Sequence, residues 1–206
     1  MIASVAITWY VARAGGLLAY LLLTVSVVLG LTLSGRARLP HWPRFAVEDI
    51  HRFAGLLTGW FLAIHVLALV ADSYMPFSLT AVFVPGAAAY RPVSVALGVV
   101  AAELLVALAL TNHFRDRLSY RFWRRAHYAN FAVWVLALVH GIASGTDRSS
   151  PWAISVYTTS VAAVAGLTAW RALAPVASTP KASLAMPPGG RAGSAGTAGL
   201  NRVEAG

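Results

Sequence analysis

Cysteine is absent from the 206 residues, and charge is scarce: Asp, Glu, Lys and Arg make up 11%, with only 7 acidic side chains. The missing thiols exclude disulfides, thiolate metal sites, cysteine-ligated iron–sulfur clusters and thioether-attached haem. A soluble domain carries about 25% charged residues, so the scarcity of charge argues against both a water-soluble globule and a disordered chain. Histidine, with 6 copies, is left as the main candidate metal ligand. The net charge of +9 would suit a nucleic-acid binder were it spread over a polar surface. Here the basic residues fall in the breaks between apolar runs, the pattern of membrane-protein loops, and no nucleic-acid partner is expected.

Five apolar runs reach the length of about 20 residues that a bilayer requires. They lie near Ala14–Leu33, Ile50–Ala71, Pro92–Thr111, Trp123–Ala143 and Ala153–Leu173. The expected fold is all-α, an integral membrane bundle of five transmembrane helices. Trp9 and Tyr10 precede the first run as interfacial anchors, and Arg36 and Arg38 follow it, which reads as a retained helix rather than a signal peptide.

Arginine distribution sets the expected orientation. Arg36, Arg38, Arg44 and Arg52 flank the first break, and Arg115, Arg117, Arg121, Arg124 and Arg125 fill the third. The tail adds Arg171, Lys181, Arg191 and Arg202, whereas the other side has only Arg13, Arg91 and Arg148. The positive-inside rule then places the amino terminus outside and the carboxyl terminus in the cytoplasm of a plasma-membrane protein. The Asp72–Arg91 segment, with Pro76, Pro85 and Gly86, is expected to be an interfacial loop rather than a cap on the outer surface. Residues 1–175 are expected to form the membrane domain. Residues 176–206, rich in Pro, Gly, Ala and Ser, are expected to be a disordered cytoplasmic tail.

Histidine within a hydrocarbon span is expensive, so each one calls for a function. His51 and His65 are fourteen residues apart in the second span, and His127 and His140 thirteen apart in the fourth. These two helices run parallel because one antiparallel helix separates them. His51 is therefore level with His127, and His65 with His140, the two levels differing by about 20 Å. Zinc sites use three or four protein ligands, and no carboxylate lies at either depth. A haem iron takes two axial imidazoles on opposite faces of an apolar macrocycle. Arg52, Arg124 and Arg125 are placed to meet propionates at the inner level, and Arg13, Arg91 and Arg148 at the outer one. Gly55, Gly59 and Gly141 are expected to let a porphyrin approach the backbone.

One angle is awkward. Fourteen residues return a helix to within about 40° of the same face, whereas thirteen leave about 140°. His127 and His140 therefore call for a bend, a π-bulge or a helix start after His127, or else for haems that meet different faces of the helix. Glu103, near the middle of the third span, reads equally as a protonated bundle hydrogen-bonder or as a proton relay or a group tuning haem potential. Trp60 and Trp134 read as packing, and His41 and His113 as solvated loop residues.

The stretches HRFAGLLTGWFLAIH (51–65), HYANFAVWVLALVH (127–140) and ARAGGLLAYLLLTVSVVLG (12–30) resemble the ferric-reductase-like transmembrane family. That family includes the membrane domains of NADPH oxidases and iron reductases and the haem-binding subunit of the periplasmic methionine sulfoxide reductase system. The resemblance covers roughly residues 9–173 and implies that His51, His65, His127 and His140 ligate two stacked b-type haems. Relative to the oxidases, the chain is expected to lack the first of six helices and any flavin- or nicotinamide-binding domain, and no G-x-G-x-x-G fingerprint occurs in it. FMN or FAD would enter only through a partner.

The implied function is transmembrane electron transfer by an oxidoreductase membrane subunit. The donor would be a cytoplasmic flavin reductase or a quinol. The extracytoplasmic acceptor would be ferric iron, oxygen or a partner flavoprotein or reductase. The alternatives are a single-haem subunit of a methionine sulfoxide reductase-type system and, in a different class, a haem-free bundle serving transport or assembly. For the orientation, a reporter fused after Gly206 is expected to be active only if it works in the cytoplasm. The reverse result would invert the topology and leave the histidine pairing intact.

Overall fold

A computed structural model describes residues 2–34, 42–73 and 77–173. Arg36, Arg38, His41, Pro76 and the expected tail 176–206 lie outside the described residues. The secondary structure is entirely helical: α1 (Ile2–Ser34), α2 (Arg44–Ala71), α3 (Leu79–Phe83), α4 (Pro92–His113), α5 (Tyr120–Tyr128), α6 (Asn130–Ser144) and α7 (Pro151–Leu173), with one 3-10 turn at Arg115–Arg117. In hydrocarbon every backbone N–H and C=O must be satisfied within the chain, which favours helices wherever the sequence is apolar. Five helical segments are long and apolar enough to cross a membrane: Ile7–Ser34, Arg44–Ala71, Pro92–His113, Tyr120–Ser144 and Pro151–Leu173. The protein is a multi-pass membrane protein, with five such helices among the described residues.

Two spans begin earlier than hydropathy alone suggests. α1 extends back to Ile2, and α2 starts at Arg44 rather than Ile50. The early start of α2 has a local cause, because the Arg44 guanidinium donates to the carbonyl of Leu33 at 3.1 Å. A carbonyl in the last turn of a helix lacks an intrahelical partner, and an arginine there supplies one together with favourable charge. Arg91 does the same for α6 by donating to Ala143 O, and Arg171 reaches Ser34 Oγ. Arg91 itself sits in the left-handed region, with φ at 41°, where it caps α4 ahead of Pro92.

The fourth span is two helices rather than one. α5 ends at Tyr128 and α6 begins at Asn130, with Ala129 N–H donating to Ala126 O at 2.8 Å in place of an i→i−4 bond. This joint falls between His127 and His140, where a break is one way to meet the thirteen-residue spacing.

α1 is the spine of the bundle, packing most extensively on α2 and also on α6 and α7, while α4 packs on α6. Its Tyr20, Leu23, Val27 and Leu31 form the main core with Ala101 and Leu108 of α4, Val133 and Trp134 of α6 and Val164 of α7. The core contains one polar link: Trp134 Nε1–H donates to Thr24 Oγ1 at 3.0 Å, and that hydroxyl donates to Tyr20 O at 2.9 Å.

The segment between α2 and α4, expected to be an interfacial loop, contains a short helix and is partly packed on α4. Ser78 caps α3, accepting from Ala81 N–H at 3.1 Å, and Ala81 and Ala88 are buried against Val95 and Val99 of α4, with Phe77 and Tyr90 beside them. Its larger apolar residues Leu79, Phe83 and Val84 stay exposed, so one side of the segment packs on the bundle and the other faces outward.

Thr24→Val keeps the shape and removes the acceptor for Trp134. It is expected to destabilise the detergent-solubilised protein by about 1 kcal/mol, the scale of one buried hydrogen bond within a helical membrane protein. The thermal midpoint, compared with that of Thr32→Val at a more exposed backbone-bonded threonine, checks this.

Candidate functional site

The structure brings the four histidines together as two pairs. The His51 and His127 ring centroids are 6.1 Å apart at 70°, and those of His65 and His140 are 6.4 Å apart at 75°. Both separations match two imidazoles facing each other across one metal ion. A metal–nitrogen bond of about 2.0 Å plus about 1.1 Å from nitrogen to ring centre, taken twice, gives roughly 6.2 Å between coaxial rings.

Three of the four rings are held by a backbone carbonyl on a neighbouring helix. His51 Nδ1 donates to Ser26 O at 2.8 Å, His65 Nδ1 to Ala12 O at 2.6 Å and His140 Nδ1 to Ser94 O at 2.7 Å. A carbonyl can only accept, so Nδ1 carries the proton and Nε2 keeps a free lone pair. That is the tautomer in which imidazole ligates a metal, with the other nitrogen held by a carbonyl. His127 is positioned differently. Its ring stacks on Trp123, with centroids 5.3 Å apart, and Nδ1 lies 3.5 Å from Asn130 Nδ2.

Each carbonyl-held ring also rests against a glycine four residues beyond the carbonyl. A Cβ on Gly16 would lie 2.9 Å from His65 Nδ1, one on Gly30 would lie 3.2 Å from His51 Cε1, and one on Gly98 would lie 2.6 Å from His140 Nδ1. The unit is thus a carbonyl at residue i and a glycine at i+4: Ala12/Gly16 and Ser26/Gly30 on α1, and Ser94/Gly98 on α4. The two units on α1 are fourteen residues apart, the same interval as His51 and His65 on the antiparallel α2.

These three glycines are not the three expected from the sequence to admit a porphyrin, of which Gly141 lines the cavity described below. Gly55 would bring a Cβ no nearer than 3.8 Å to Ser26 Oγ, Gly59 faces open space, and Gly141 makes room for the Tyr157 hydroxyl. The matching fourteen-residue intervals of Gly16/Gly30 and His51/His65 were the available signal.

The His65–His140 pair faces a cavity of about 590 Å³, within the range of small-molecule and cofactor sites. Leu17, Val99 and Leu105 line its apolar wall, Phe77, Ala81 and Tyr90 of the folded loop contribute to it, and Arg13, Asp72, Asp147 and Arg148 supply polar groups. Arg13 is ion-paired with Asp147, and Asp72 accepts a hydrogen bond from Thr8 at 3.0 Å. His51 and His127 lie outside this cavity.

The expected propionate partners are at the arginine-rich end. Arg52 follows His51, and Arg124 and Arg125 lie within the turn before His127, all three exposed. Arg124 donates to Tyr128 Oη at 3.4 Å. Of the outer candidates, Arg13 is engaged by Asp147 and Arg91 by Ala143 O, while Arg148 lines the cavity. Among the described residues no cluster of three or more His, Cys, Asp or Glu side chains is assembled, so each pair offers two imidazoles. Trp134 is buried, in keeping with a packing role, whereas Trp60 is 63% exposed. His113 is exposed at the end of α4 with its ring against Phe114.

Comparison with known proteins gives one family match: the family described as ferric reductase like transmembrane component matches residues 15–139. That range holds His51, His65 and His127 and stops one residue short of His140. No curated protein and no solved structure matches the chain.

The glycine units have a testable consequence. Gly98→Ala puts a Cβ into the His140 ring and is expected to lower stability by about 1–3 kcal/mol, as overpacking does. Gly59→Ala, in open space, is expected to be neutral or to stabilise α2 by about 0.5 kcal/mol. Thermal denaturation of the two variants in the same detergent compares them directly.

Proposed function

The chain belongs to the ferric reductase like transmembrane family, and from that premise we propose that it carries electrons across the membrane with one b-type haem held by His51 and His127 and a second by His65 and His140. The observation that carries this reading is the pair geometry: ring separations of 6.1 and 6.4 Å, with Nδ1 of three rings committed to carbonyls. Haem supplies one-electron ferric/ferrous chemistry when bound between two imidazoles.

The chain's own residues do the rest. Ala12, Ser26 and Ser94 fix ring orientation through their carbonyls, and Gly16, Gly30 and Gly98 allow the rings to lie against the helices. Trp123 fixes His127 by stacking. The apolar wall of the outer cavity and the packed α3 segment limit water at His65 and His140. Arg52, Arg124 and Arg125 provide positive charge for propionates at the inner level, and Arg148 is the corresponding candidate at the outer level.

In this reading the arginine-rich end faces the cytoplasm and the protein lies in the plasma membrane. Electrons arrive at the His51–His127 level from a separate flavin reductase or a quinol. They leave at the His65–His140 level to ferric iron, oxygen or an extracytoplasmic flavoprotein or reductase. A second reading, one haem at the outer pair serving a dedicated reductase, is favoured by one asymmetry. Only His65 and His140 face the large cavity, and only that pair has both rings held by carbonyls.

Single alanine substitutions at the four histidines separate the readings. With two haems, the variants are expected to fall into two spectral classes, His51 with His127 and His65 with His140. Each class should retain about half the haem, since the other site lies roughly 20 Å away along the helix. Haem-to-protein ratio and reduced-minus-oxidised spectra of the purified variants provide the check. Unchanged haem content in His51→Ala and His127→Ala would select the single-haem reading, and a wild-type protein without haem would overturn both.

A further inference from the structure

Glu103 stands eleven residues from the start of α4 at Pro92 and ten from its end at His113, at the centre of a spanning helix. It is exposed, and among the described residues no hydrogen bond or ion pair reaches it. The half of α4 that bears Ser94, Gly98 and Ala101 is turned to His140 and the core. Glu103 lies on the opposite half, in one stripe with Val93, Val100, Ala107 and Leu110 at helical spacing, of which Val93, Ala107 and Leu110 are also exposed. An ionisable side chain at mid-membrane ordinarily faces a bundle interior and has a partner there. Here the bundle interior is on the other side of the helix.

No cation of the described chain reaches this depth. Arg13 is level with His65 and Arg52 is level with His51, and Glu103 lies between those levels. Two exposed hydroxyls of α7, by contrast, are satisfied within their own helix: Ser155 donates to Pro151 O and Thr158 to Ile154 O. A two-fold axis along the membrane normal brings each residue to the depth of its own copy. A carboxyl pair that shares a proton is donor and acceptor at once, so Glu103 is complementary to itself.

We propose that the outward stripe of α4 is the interface between two copies of this chain, with the two Glu103 side chains hydrogen-bonded to each other near the axis. Val100, Ala107 and Leu110 supply the close apolar contact on either side. This interface is independent of the haem reading, because it places no demand on the histidine pairs.

The absence of cysteine makes the test clean, since a single introduced thiol can be cross-linked only to another copy. In the purified full chain in liposomes, Ala107→Cys is expected to give cross-linked dimer with a short bifunctional thiol reagent. Ala162→Cys, exposed on α7, is expected to give little. Adding Glu103→Leu to Ala107→Cys is expected to reduce the dimer about ten-fold, the scale of one interhelical hydrogen bond in a membrane. Adding Glu103→Gln, which keeps a donor and an acceptor, is expected to retain most of it. Equal cross-linking at Ala107→Cys and Ala162→Cys, no dimer at either, or a dimer indifferent to Glu103→Leu would overturn the proposal.

Discussion

The structure depends on one recurring interaction: an imidazole N–H on one helix donating to a main-chain carbonyl on the next. A carbonyl in mid-helix is already bonded within its own helix, and it uses its second lone pair to accept from a neighbour. For the ring to come close enough, the flank of the accepting helix must be bare, and the glycine at i+4 provides this at Gly16, Gly30 and Gly98. The same contact therefore sets three things together: the approach of α1 to α2 and of α4 to α6, the tautomer of the imidazole, and the direction in which Nε2 points. Helix packing and ligand readiness are thus one constraint.

The antiparallel run of α1 along α2 turns this contact into a register. Ala12/Gly16 and Ser26/Gly30 repeat at fourteen residues, as do His51 and His65, so both rings seat when the helices are aligned in one way. Any other alignment would move Gly30 away from the His51 ring that it admits. α1 also carries the core residues that hold α6 and α7, so the alignment of α2 is transmitted to the rest of the bundle through one element.

Much of this was legible in the sequence, and the failures share a cause. The five spans follow from hydropathy, and the pairing of His51 with His127 and of His65 with His140 follows from helix parity. A break between His127 and His140 was one way to meet the thirteen-residue interval, and one is found at Ala129. A 3-10 turn advances about 120° per residue against about 100° for an α-helix, so tightening there rotates the rings toward the same face. What sequence reading missed was set by the partner helix. The glycines against the rings, Gly16, Gly30 and Gly98, lie on the helices facing the histidines, so no feature of the histidine helices themselves marks them. The α2–α4 segment looked interfacial because its apolar residues have no period long enough to reveal that Ala81 and Ala88 pack on Val95 and Val99.

The two histidine levels are built from different materials, and this matters for how each would respond to its surroundings. At the His65 level both rings are tied to helix backbone, beneath the packed α3 segment and beside a cavity with the Arg13–Asp147 pair in its lining. Such a site has few soft coordinates, since moving either ring means moving a whole helix. At the His51 level one ring is tied to Ser26 O, while the other is on α5, a nine-residue helix joined to α6 by a single tight turn. His127 is held there mainly by Trp123, and its helix carries Arg121, Arg124 and Arg125, all exposed. A force applied to α5 by a docked partner therefore reaches His127 directly. The same force would reach His140 only through the joint at Ala129 and the whole of α6. The level nearer the arginine-rich surface is the adjustable one, and the level beneath the folded loop is the rigid one.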